Sequence, residues 1–85
     1  MTVKLIKEFS VFVQLVKAGK MTDAARVLGM SPATISQRLR HLEQELGVRL
    51  VNRNARGMKV TDEGRALFER LDGLMGDLED TAEAV

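Results

Sequence analysis

The stretch SPATISQRLRHLEQELG, residues 31–47, decides the fold. It reads as a helix with both ends written into it. Ser31 is a good N-cap, because its hydroxyl can accept from an orphan backbone N–H of the first turn. Pro32 sits at the first helical position, where its missing N–H removes nothing. Gly47 suits the left-handed residue that closes a helix. Ile35, Leu39, Leu42 and Leu46 recur at helical spacing and form one apolar stripe. The opposite side carries Ala33, Gln37, Arg40, His41 and Gln44, with Thr34 and Ser36 on its flanks. Small, hydrogen-bonding residues followed by arginines suit a major groove, which takes a slim helix bearing donors, acceptors and cations. An ordinary surface helix with a polar outer face fits this stretch equally well.

The preceding residues favour the first reading. Residues 22–29, TDAARVLG, read as a short helix capped by Thr22, with Asp23 in its first turn and Gly29 at its end. Ala24 and Ala25 allow close approach of another helix, while Val27 and Leu28 supply apolar contact. Only Met30 and Ser31 separate the two helices, and helix, glycine-containing turn, helix is the helix-turn-helix arrangement. Further back, residues 3–18 read as a first helix. Leu5, Phe9, Phe12 and Val16 form its stripe, widened by Ile6 and Val13. Lys4, Lys7, Glu8, Gln14 and Lys17 take the outer side.

Beyond Gly47 the pattern becomes that of a hairpin. VRLVN (48–52) is short and β-branched, RNARG (53–57) reads as a turn, and MKV (58–60) as a second strand. Two strands with a basic tip make a wing, on which Arg53 and Arg56 can reach a minor groove or a phosphate. Thr61 then caps a last helix, with Asp62 and Glu63 in its first turn. Leu67, Leu71, Leu74 and Leu78 are spaced like the a and d positions of a coiled coil, and Val85 resumes the row. That row is expected to pair with a second copy, with packing against its own domain as the alternative.

Composition narrows the function classes. The 85 residues make one small domain, and 45% hydrophobic residues build only a thin core. There is no Cys and one His, so thiolate metal sites and disulfides are excluded and no metal or cofactor is expected. His41 has no catalytic partner that spacing can supply, so an enzyme is not expected. MTVKLIKEFS lacks a signal-peptide core and no apolar run has membrane-spanning length, which leaves a cytoplasmic protein as the expectation. The net charge of +1 conceals an uneven distribution: +3 over residues 1–36, +4 over 37–60 and −6 over 61–85. A basic body with an acidic tail suits a protein of which one part meets phosphate. A protein-interaction module with the same fold remains an alternative, although its wing need not be basic.

Over some fifty positions, from Phe12 through Gly64, the chain resembles the N-terminal DNA-binding domain of a LysR-type bacterial transcriptional regulator. The residues that carry the resemblance are Gly19, Ala24-Ala25, Leu28, Ser31, Ser36, Leu42-Glu43, Leu46-Gly47, Leu50, Arg53, and Thr61 with Gly64. It implies a mainly α winged helix-turn-helix, three helices and a short β-hairpin wing over residues 1–60. A long linker and dimerisation helix follows over 61–85. It also implies a homodimer on inverted repeats of double-stranded DNA, and a small-molecule effector sensed by a C-terminal domain outside this chain. Carried over by position, Thr22 and Ser31 match capping residues facing phosphate. Pro32, Ala33, Ser36 and Gln37 match base-facing positions, with Thr34 beside them. Arg38 and Arg40 match positions that reach backbone or bases, and Arg53 and Arg56 match the wing. The family commonly has Gln and Pro after the capping Ser, where this chain has Pro32 and Ala33. Pro32 cannot read adenine through an amide, but its ring suits a thymine methyl.

Overall fold

A computed structural model describes residues 5–54 and 57–84. The order is α1 (Ile6–Ala18), α2 (Met21–Leu28), α3 (Pro32–Leu46), β1 (Val51–Asn54), β2 (Gly57–Val60) and α4 (Asp62–Ala84). This is the winged helix-turn-helix expected, with a long fourth helix. α1 is the centre of the assembly and packs against α2, α3 and α4. Phe9, Phe12, Val13 and Leu15 of α1 meet Ala24 of α2, Ile35, Leu39 and Leu42 of α3, and Leu50, Val51 and Leu71 in one core.

Because α1 is enclosed on several sides, its buried face is broader and differently centred than the stripe suggests. Val11 and Glu8 are buried, whereas Ile6, expected to widen the stripe, is exposed. Val27 likewise points outward, leaving Leu28 to make the apolar contact of α2. Gly29 adopts φ 65° and its turn brings Met30 N–H to Ala25 O at 3.1 Å, which sets α3 across α2.

Several boundaries differ from expectation; the strands also run into the expected turn, β1 to Asn54 and β2 from Gly57. α2 begins at Met21, so Thr22 lies inside its first turn and is not the cap; the cap position is extended Lys20, without a side-chain bond. Lys20 O already accepts from Ala24 N–H, and Met21 packs against the core, which starts the helix two residues sooner. The first strand begins at Val51 and not at Val48. Backbone groups of residues 48–50 are committed elsewhere: Val48 N–H donates to Glu43 O, Leu50 N–H to the Glu43 carboxylate, and Leu50 O accepts from Thr61 N–H. The hairpin therefore pairs Val51 with Val60, Asn52 with Lys59, Arg53 with Met58 and Asn54 with Gly57. The first helix is described from Ile6, with Leu5 at its cap position; residues 3 and 4, where it was expected to begin, lie outside the described residues.

α4 is locked to this body at its start. Thr61 Oγ1 accepts from Gly64 N–H at 2.9 Å and donates to Arg49 O at 2.7 Å. Gly64 lies so close to the preceding loop that a Cβ there would stand 2.2 Å from Leu50 O. Farther along, Lys17 of α1 pairs with Asp72 at 3.1 Å. The leucine row divides accordingly. Leu71 is 8% exposed and belongs to the protomer's core, and Leu67 packs against it. Leu74 and Leu78 are 57% and 68% exposed. The expectation that all four leucines face a partner is thus corrected: two are used within the protomer, because α4 lies on α1 for its first turns.

Candidate nucleic-acid interface

Local chemistry sets the exposed face of α3. The Ser31 hydroxyl accepts from Thr34 N–H at 3.1 Å and lies 2.9 Å from the Thr34 hydroxyl. One hydroxyl proton is consumed between the pair; the other remains to donate outward. Pro32 holds the first turn. With Ile35, Leu39 and Leu42 buried, Pro32, Ala33, Gln37, Arg40, His41 and Gln44 are turned to solvent, and Thr34 and Ser36 are half-buried at its margin.

The wing joins this face. Arg53 Nη1 donates to Ser36 Oγ at 2.5 Å. Arg53, read as part of the turn, lies on β1 close to the tip, one residue before the Asn54–Gly57 pair, with its guanidinium drawn across to α3. The two elements thus present one continuous cationic and hydroxyl-bearing surface. Arg56, the other wing arginine, lies outside the described residues. Between the wing and the α1–α2 turn runs a groove bordered by Lys20, Met21, Arg53 and Met58. Lys20 went unassigned in the sequence. It is extended at the cap position of α2 and borders this groove.

Arg38 is not brought into this surface. Its Nη1 lies 3.6 Å from Glu8 Oε1, on the side of α3 that meets α1. Glu8 is also 3.7 Å from His41 Nδ1, and His41 Nε2 is 3.4 Å from Glu45. Arg26 is held by Asp23 at 2.6 Å. Glu43 carries no recognition role but builds the frame: its Oε2 accepts from Leu50 N–H at 2.7 Å and Val51 N–H at 3.2 Å, fixing the wing to α3. Among the described residues, no three His, Cys, Asp or Glu side chains converge as a metal site, and no helix is long and apolar enough to cross a membrane.

The family model for bacterial regulatory helix-turn-helix proteins of the lysR family matches residues 6–65. The chain belongs to this family. It is a DNA-binding family of transcription regulators and not one of enzymes. Similar curated proteins include the HTH-type transcriptional repressor PA14_22550 of Pseudomonas aeruginosa, 42% identical over 81% of this chain. The HTH-type transcriptional activator AaeR of Escherichia coli is 38% identical over 92% of it. The LysR-type chain spans only 22% and 25% of those two relatives. Among solved structures, the BenM DNA-binding domain in complex with catB site 1 DNA superposes with a TM-score of 0.85 at 27% identity. That match covers 92% of this chain and 88% of that one. Full-length AphB from Vibrio cholerae gives 0.84 at 28% identity, covering 93% of this chain and 27% of its own length.

Proposed function

We propose that this LysR-type domain reads an inverted repeat in double-stranded DNA as a homodimer, within a cytoplasmic regulator whose effector is sensed by a further domain. The observation that carries the reading is the Arg53–Ser36 contact, which joins wing and recognition helix into one surface. The similarity to BenM, whose DNA-binding domain was solved on DNA, supports it. The start of α3 enters the major groove. Pro32, Ala33 and Gln37 face base edges, with the hydroxyls of Ser31, Thr34 and Ser36 at the margin and Arg40 toward phosphate. Arg53 and Arg56 meet phosphate or minor groove, and the first turn of α2, with Thr22, approaches the backbone. Residues 1–60 form the DNA-binding unit, and residues 61–85 the linker helix that brings two copies together through Leu74 and Leu78.

The test is titration into a fluorescent duplex carrying a degenerate inverted repeat, beside a scrambled duplex, at several salt concentrations. The expected result is binding that weakens steeply with salt, the repeat outlasting the scramble. No binding at low salt overturns the reading.

A further inference from the structure

Glu8 is a carboxylate where the helical pattern called for a solvated one. It is 8% exposed, and its Oε2 is buried without a hydrogen-bond partner. The cation it faces, Arg38, has a buried Nε that is likewise unpartnered. The remaining contacts of the carboxylate are at 3.6 Å to Arg38 and 3.7 Å to His41, both through Oε1. Neither group is fully satisfied by hydrogen bonds, so each depends on the other's charge. Among the described residues, withdrawing Arg38 leaves the buried carboxylate paired with His41, which shares its other nitrogen with Glu45. A buried charge deprived of its partner is strongly unfavourable.

Arg38 lies about 100° around α3 from Gln37, and a third of its side chain is exposed. A long, flexible cation so placed would be a natural phosphate ligand if it were free. Phosphate contacts add affinity without regard to sequence.

We infer that Glu8 is a specificity-determining residue: by holding the Arg38 guanidinium against α1, it keeps that cation off the DNA backbone. The inference rests on the DNA-binding reading above. Its consequence is that α3 meets the duplex mainly through neutral polar side chains and Arg40. Sequence-independent affinity is thereby restrained and the ratio of specific to non-specific binding raised.

The experiment measures log K against log salt concentration on the repeat and on the scramble for the unaltered chain, R38Q, E8M and E8M/R38Q, with melting curves for each. R38Q is expected to leave both slopes unchanged, because Arg38 releases no counterion. E8M is expected to steepen both slopes by about 0.9, one phosphate contact, and to tighten scrambled DNA more than the repeat. E8M/R38Q returns to the original slopes. A slope reduced by about 0.9 in R38Q overturns the inference, since Arg38 would already be on phosphate. So does steepening that persists in E8M/R38Q, which would trace to the lost negative charge alone. An unaltered slope in folded E8M also overturns it. If E8M does not fold, the isosteric E8Q, with E8Q/R38Q beside it, takes its place in the same comparison. Failure of the unaltered chain to bind either duplex removes the DNA reading and this inference together; binding with the wrong slopes removes only the inference.

Discussion

Arg53 on β1 donates to the hydroxyl of Ser36 on α3 at 2.5 Å, so a wing residue and a recognition-helix residue form one unit. An arginine that would otherwise sample many rotamers is held beside the exposed face of α3. Arg53→Ala is expected to weaken the repeat and the scramble alike and to reduce the salt slope by about 0.9. Ser36→Ala, which frees the guanidinium without removing it, should retain the slope. Titrations of both variants on both duplexes check this.

Gln37 stands in the middle of the exposed face of α3 and has no hydrogen-bond partner for its side chain among the described residues. Gln37→Ala should weaken the repeat by about 1–3 kcal/mol, the worth of one base contact, and leave the scramble almost unaffected. Equal losses on both duplexes would remove Gln37 from base reading.

Glu43 holds the start of the wing through two backbone N–H groups. In Glu43→Ala both donors lose their acceptor in a half-buried place. A loss of about 2–4 kcal/mol of stability is expected, read as a lower denaturant midpoint. Gly64→Ala should lower stability by about 3 kcal/mol, because the added carbon meets the backbone of Leu50, which cannot turn aside as a side chain would.

The divided leucine row gives opposite signatures. Leu71→Ala should remove about 2–5 kcal/mol from protomer stability. Leu78→Lys should leave urea stability at low concentration within about 0.5 kcal/mol while shifting sedimentation toward monomer. A Leu78→Lys variant that sediments as the unaltered chain does would place the contact between copies elsewhere.

The architecture was legible because its punctuation is local: Ser31, Pro32 and Gly47 bound α3, Gly29 makes the turn, and Thr61 caps α4. What periodicity could not resolve were the positions decided by how many neighbours an element has. Glu8 reads as an outer residue until α3 is laid over α1 and Arg38 arrives beside it. Leu71 and Leu78 are equivalent in spacing, yet α1 covers one and stops short of the other. Thr22 carries the chemistry of a cap but sits inside a helix whose start is set by Met21 packing and by the Lys20 carbonyl. Arg53 belongs to the wing as expected, but its reach to Ser36 depends on a hairpin register that Glu43 fixes from seven residues before Leu50.

The corner where Thr61 grips Arg49 O and Gly64 abuts Leu50 O has a metric consequence. These contacts restrain α4 at its root and set its direction with respect to α3. In a pair of copies joined along α4, the position at which the two rods cross then sets the separation of the two reading heads. Each residue by which that crossing slides displaces a head by about 1.5 Å along the rod and turns it by about 100°. On the proposed dimer α4 would act as a ruler: the gap between half-sites that such a pair could straddle would be written in where its apolar residues fall, independently of the letters each half-site spells.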